Sequence, residues 1–298
     1  MKLTDINTVR QLLGEEQTSF KKKYGQNFLI NENTVRAIAE SCLPSGIDAS
    51  KDCGVLEIGP GIGTLTYELC KVARKVVSVE IDSTLIPVLA KTLAEFDNVK
   101  VINSDILKAD IGRIIEEEFS DCGSIVVAAN LPYYITTPIL MHLFESRLPF
   151  EAITVMVQKE VADRLCSGAD NGAYGAVTAS VAYYAKAKKL FNVSAGNFLP
   201  APKVDSAVVR FDLYKEPPVH VENEKIFFKV IRSAFEQRRK TLLNALSSGF
   251  AHIPKIELQS IIISCGLSAT VRGEALDIAA FASIANKIHQ YMTEDALS

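Results

Sequence analysis

The chain has 298 residues, 48% of them hydrophobic and 22% charged, with a formal net charge of −3. That length holds one large domain or a medium one with a smaller companion, and that balance argues against nonspecific coating of nucleic acid while leaving room for a local basic patch. No apolar stretch approaches the ~18 residues needed to cross a bilayer, and the start, MKLTDINTVRQLL, lacks a secretory pattern, so a cytoplasmic location is expected.

In chain order, the first conspicuous feature is the lysine run Lys21, Lys22 and Lys23, just before GQNFL. Residues 53 to 213 then alternate strand-like and helix-like segments. CGVLEI (53–58), KVVSVE (75–80), NVKVI (98–102), SIVVAA (124–129) and AITVMV (152–157) are short β-branched runs. Between them, TLTYELCKVA and STLIPVLAKTLAEF carry apolar residues at helical spacing. This pattern predicts βαβ units and a mainly parallel sheet covered by helices on both faces. YYAKAKKLFNV (183–193) and SAVVRFDL (206–213) read as a final hairpin with one member at the sheet edge.

YKEPPVH (214–220), with two prolines and no periodicity, reads as a linker. Beyond it lie only helical patterns: 223–249, ending on a glycine stop, then IPKIELQSIIISCG, then RGEALDIAAFASIANKIHQYM. The predicted division is an α/β domain over 1–213, with residues 1–50 as a lid segment, and a helical domain over 221–298. On the first long helix, Lys229, Arg232, Arg239 and Lys240 fall within about 100° of one another. That arc is a candidate phosphate-binding surface. Phe227, Ile231, Phe235 and Leu242 lie opposite and are expected to pack inward. Arg238 sits within that apolar face; it either pairs with a carboxylate across a domain contact, the favoured reading, or marks an irregular helix.

Six cysteines without a CxxC pair and four isolated histidines suggest reduced thiols and no metal site. The chemistry concentrates at strand ends. VLEIGPGIGTLT puts Gly59, Gly61 and Gly63 between a strand and a helix, where backbone can approach a ligand closely. Glu80 ends the next strand, where a carboxylate can accept from ribose hydroxyls, and Asp105 follows the third, within reach of an adenine amine. With no Lys or Arg beside the loop, S-adenosylmethionine suits these residues better than NAD, which stays open as the alternative.

The fourth strand ends in Asn130, Leu131, Pro132, Tyr133 and Tyr134. An adenine amine is a poor nucleophile because its lone pair is delocalised into the ring. The Asn130 side-chain oxygen and the Leu131 carbonyl could accept its two N–H groups and favour a pyramidal nitrogen. Pro132 fixes the backbone and removes a donor. Tyr133 could stack on the base, with Tyr134 expected to pack into the fold.

NLPYYITTPIL resembles the Asn-(Leu/Ile)-Pro-Tyr motif of amino methyltransferases. With KKKYGQNFL, LEIGPGIGTLT, VEID, NSDIL, NFLPAPKVDSAVV and FEQRRKTLLNAL in order, the chain resembles the ribosomal RNA adenine dimethyltransferase family from about residue 20 to at least 280. The resemblance points to its bacterial small-subunit branch. It implies a Rossmann-like S-adenosylmethionine-dependent methyltransferase sheet with a small C-terminal all-helical domain. The implied activity is N6,N6-dimethylation of two adjacent adenosines near the 3′ end of small-subunit rRNA, on the immature 30S particle. The enzyme would be a monomer without metal, releasing S-adenosylhomocysteine. Among residues, it implies that Gln26, Asn27 and Leu29 close over the cofactor and that Gly59 and Gly61 approach its methionine part. Glu80 would meet the ribose, Ile81 would belong to the same cofactor site, Asp105 and Ile106 would meet the adenine, and Asn130 both cofactor and target amine. Phe198 would stack on the target adenine opposite Tyr133, completing a clamp for a flipped-out base. An erythromycin-resistance-type enzyme of large-subunit rRNA is the alternative within this class, and a binding module that kept the fold is the alternative outside it.

Overall fold

The computed structural model describes residues 2–16, 26–46, 48–169 and 171–295, so the three lysines 21, 22 and 23 lie outside the described residues. Its strands are β1 (Phe28–Leu29), β2 (Cys53–Ile58), β3 (Lys75–Glu80), β4 (Val99–Asn103), β5 (Ser124–Asn130), β6 (Ala152–Gln158), β7 (Ala185–Val193), β8 (Phe198–Leu199) and β9 (Ser206–Leu213). Seven of them form one sheet in the order β4-β3-β2-β5-β6-β9-β7. The pairs from β4 through β6 are parallel, while β9 runs antiparallel to β6.

The burial of each strand explains its sequence. β2, β5 and β6 are buried at nearly every position, as strands covered on both faces must be, and they read as unbroken apolar runs. At the two edges, β4 and β7 expose several residues, and β7 carries Lys186, Lys188 and Lys189, charges that discourage further pairing. Helices begin where a side chain can satisfy the first free N–H groups: Asn31 accepts from Thr34 N–H at 3.0 Å, and Asp110 from Arg113 N–H at 3.0 Å.

Two compact units emerge: Met1–Ala162 with Ala187–Leu213, and Asp163–Lys186 with Tyr214–Ser298. The division after residue 213 falls at the expected linker, but 163–186 groups with the helical unit rather than with the α/β domain. Its aromatics are the cause. Tyr183 packs 5.0 Å from Phe227 and Tyr184 stacks 5.6 Å from Phe228, ring centroid to centroid, and Tyr174 OH donates to the Leu276 carbonyl at 3.0 Å. Tyr183 and Tyr184 end a helix (Ala176–Tyr184) instead of opening the strand, which starts at Ala185.

The long helix expected after residue 223 is also corrected. It stops at Glu236, Gln237 leaves helical geometry, and a second helix runs over Leu242–Gly249 with Thr241 as its cap. The common arc drawn for Lys229, Arg232, Arg239 and Lys240 therefore does not exist, because the last two lie in the turn between helices. Arg232, Arg239 and Lys240 are exposed, while the Lys229 ammonium sits 4.5 Å above the Phe250 ring. Phe227, Ile231 and Leu242 are buried as expected. Arg238 does meet a carboxylate, Glu274 at 3.6 Å, and donates to the Gly172 and Tyr174 carbonyls, all inside the helical unit and not across domains. Among the described residues, no helix is long and apolar enough to cross a membrane.

Candidate functional site

One cleft in the α/β unit gathers the carboxyl ends of β2, β3 and β5 and the segment that follows β4. Its walls include Gln26, Asn27, Leu29, Gly59, Gly61, Glu80, Ile81, Asp105, Ile106, Asn130, Leu131, Pro132 and Tyr133, residues singled out above from three strand ends and two distant motifs. Adjacent parallel strands ending together explain the convergence, since loops at that end share one crevice.

The glycine loop carries the backbone conformation that requires glycine. Gly59, Gly61 and Gly63 have φ of +69°, +61° and +88°. A Cβ at Gly59 would stand in open space, whereas one at Gly61 would come within 2.9 Å of the Phe28 ring. β1 therefore lies against the loop, and it pairs antiparallel with β8. Two side chains anchor the segment before it. Gln26 Nε2 donates to Asp82 Oδ2 at 3.1 Å, and Asn130 Nδ2 donates to the Asn27 carbonyl at 3.2 Å.

Glu80 is 4% exposed, and its two oxygens accept from the Gly61 N–H at 3.1 Å and the Asp82 N–H at 2.8 Å. Burial outweighs these donors and holds its pKa above the ordinary carboxylate value. Asp105 caps its own turn, accepting from Leu107 N–H at 3.1 Å. Asn130 lines the cleft with its Nδ2 anchored, and its Oδ1 has no donor to it among the described residues. The Pro132 carbonyl is committed to Ile135 N–H at 3.1 Å and Thr136 Oγ1 at 3.2 Å. Tyr133 is half-buried, its hydroxyl 2.8 Å from Ser206 Oγ, and burial raises its pKa.

Two expectations about aromatics change. Tyr134 does not pack into the fold; it is 63% exposed at the cleft wall. Phe198 is 3% exposed and lies in an apolar cluster with Leu29, Ile38 and Val208, because its pairing with Leu29 across β1 and β8 accompanies an inward-facing ring. It does not line the cleft.

The cleft also holds residues that the motifs did not single out. Glu57, 1% exposed, accepts from Ser78 Oγ at 2.7 Å, and burial lifts its pKa to about 7. Thr64 opens the helix after the loop, and its Oγ1 is buried without a hydrogen-bond partner among the described residues. Glu57 stands two residues before Gly59, so proximity to the loop was the available signal. This donor set suits a nucleoside with an amino-acid tail. The open space at Gly59 admits a ligand, the carboxylates suit hydroxyls and amines, and among the described residues no Lys, Arg or His lines the cleft to meet a pyrophosphate.

Comparison with known proteins agrees with this chemistry. The model of a family described as ribosomal RNA adenine dimethylase matches residues 17–290. A ribosomal RNA small subunit methyltransferase A from Lachnoclostridium phytofermentans is 48% identical over 292 residues, covering 97% of this chain and 99% of the relative. A solved dimethyladenosine transferase from Plasmodium falciparum superposes with a TM-score of 0.70 at 25% identity, covering 90% of this chain and 98% of that one. A solved 23S rRNA methyltransferase, ErmE, reaches a TM-score of 0.65 at 24% identity over 89% of this chain and all of its own, a likeness of fold alone. The chain belongs to the ribosomal RNA adenine dimethylase family.

Proposed function

We propose that this chain uses S-adenosylmethionine to dimethylate N6 of two adjacent adenosines near the 3′ end of small-subunit rRNA, acting as a cytoplasmic monomer on the immature small subunit. The observation that carries this reading is the anchored amide of Asn130. Its Nδ2 is held by the Asn27 carbonyl at 3.2 Å, which leaves Oδ1 to accept from a ligand amine in the cleft. The Leu131 carbonyl supplies the second acceptor, since the Pro132 carbonyl is already doubly engaged. Two acceptors for the two N–H groups favour a pyramidal nitrogen whose lone pair is free to attack.

The cofactor supplies a methyl group made electrophilic by its sulfonium sulfur. Gln26, Asn27 and Leu29 cover it, Gly59 and Gly61 admit its amino-acid part, Glu80 and Ile81 meet its ribose, and Asp105 and Ile106 its adenine. Tyr133 stacks on the target base, its ring steadied by the bond to Ser206. Phe198, buried beside Leu29 and Val208, is not given the opposite stacking face in this reading. Most of the rate enhancement is positioning for in-line attack. No general base is required, because the amine loses its proton readily once methylated. Arg232, Arg239 and Lys240, with Lys229 and lysines 21 to 23, supply phosphate contacts.

The test is methyl transfer to small subunits from cells lacking the modification, with the products mapped by nucleotide. Wild type is expected to methylate two adjacent adenosines. Asn130→Ala is expected to lower kcat by roughly 100-fold or more, as loss of one preorganised polar contact does in other enzymes. Transfer to large subunits instead, or full activity in Asn130→Ala, would overturn the reading.

A further inference from the structure

Tyr133 and Tyr134 are neighbours on one stiff turn, yet they face different media. The turn is tied by the Pro132 carbonyl to Ile135 N–H and Thr136 Oγ1, and a helix starts at Thr136. Tyr133 goes inward, its hydroxyl fixed to Ser206. Tyr134 goes outward and, at 63%, is the most exposed large aromatic side chain among the described residues, while still lining the cleft. Among the described residues it has no hydrogen-bond partner for its hydroxyl and no ring contact. An aromatic ring held in water at the edge of a ligand cleft has its faces free for a flat partner.

Flipping a base into a pocket leaves its neighbour on the strand without a stacking partner on one side. An aromatic platform at the mouth can replace that partner, and such stacking tolerates any base because every base has a π-face. Consecutive Cα atoms are about 3.8 Å apart, so the inward and outward tyrosines can serve successive nucleotides of one strand. We propose that Tyr134 is a second stacking site, taking the base of the nucleotide next to the one held in the cleft. This rests on the functional reading above. With two adjacent target adenosines, Tyr134 holds one while Asn130 and Tyr133 hold the other.

The test has two arms. In the first, Tyr134→Ala is expected to raise KM for undermodified small subunits roughly 10-fold or more, with Tyr134→Phe staying within about twofold of wild type. The dissociation constant of S-adenosylmethionine is expected to stay unchanged in both variants. An unchanged KM in Tyr134→Ala, equal losses in both variants, or a parallel loss of cofactor affinity would overturn the proposal. The second arm does not depend on methyl transfer. The chain contains no tryptophan, so Tyr134→Trp creates a single reporter, and saturation with a short oligoadenylate, confirmed by anisotropy of the labelled RNA, is expected to quench its emission. Unquenched emission at saturation with wild-type transfer intact refutes the stacking site and leaves the functional reading standing. Quenching without any methyl transfer by the wild type supports the stacking site and refutes the functional reading alone.

Discussion

Glu57 keeps a proton at a pH where an exposed carboxylate has lost it. Its pKa rises from 4.5 to about 7 through burial, against the lowering effect of its hydroxyl partners. Between those two values the folded chain holds a proton that the unfolded chain has released, so stability falls as pH rises through that window. The slope is about 1.4 kcal/mol per pH unit for one such group. Glu57→Gln removes the ionisation, and denaturant unfolding at pH 5, 6 and 7 is expected to show a flatter profile and a more stable protein at pH 7. A slope equal to that of wild type would mean that Glu57 is ionised when buried. Glu80, also raised, leaves part of the slope in place. Strand ends in the sequence pointed to Glu80, Asp105 and Asn130, and all three line the cleft. Glu57 was hidden because it sits inside an apolar strand, and no local pattern tells which of two adjacent tyrosines faces water.

The most informative element is the short strand β1, whose two residues make it nearly invisible to periodicity. Its Phe28 ring lies where a side chain at Gly61 would go, and its backbone pairs with β8. Gly61→Ala combines a left-handed φ of +61° with a Cβ 2.9 Å from that ring. A backbone penalty of about 1–2 kcal/mol is expected in unfolding experiments. Because Phe28 and Leu29 line the cleft, binding of S-adenosylmethionine at equilibrium should weaken as well. Wild-type affinity in this variant would separate β1 from the cofactor. Other elements were legible because strand and helix periods differ: β2, β3 and β9 match the apolar runs residue for residue. The break after Glu236 was less visible. Its signal was Thr241, three residues before Asn244, whose N–H donates to Thr241 Oγ1 at 3.4 Å.

At the scale of the whole chain, a net charge of −3 must coexist with an RNA substrate. Phosphate contacts then rest on a few local cations, and counterion release makes their number measurable. If the exposed Arg239 and Lys240 each meet a phosphate, replacing both with alanine is expected to lower the slope of log affinity against log salt by about 2. Methylation of bound RNA should keep its nucleotide specificity. An unchanged slope would move the RNA elsewhere on the surface. The same scale explains why 163–186 joins the helical unit: the burial of Tyr174, Tyr183 and Tyr184 in an aromatic cluster, and not chain order, decides membership.

The sequence by itself determined the α/β order, the glycine loop, the carboxylates at the strand ends and the Asn-Leu-Pro-Tyr segment, because each is a local pattern with its own steric or periodic cause. Only the tertiary structure decided how these meet: that Asn27 anchors the Asn130 amide, that β8 pairing accompanies Phe198 in the core, and that Tyr134 faces water. Those outcomes depend on contacts between segments 103 residues apart or more, which hydrophobic periodicity does not encode.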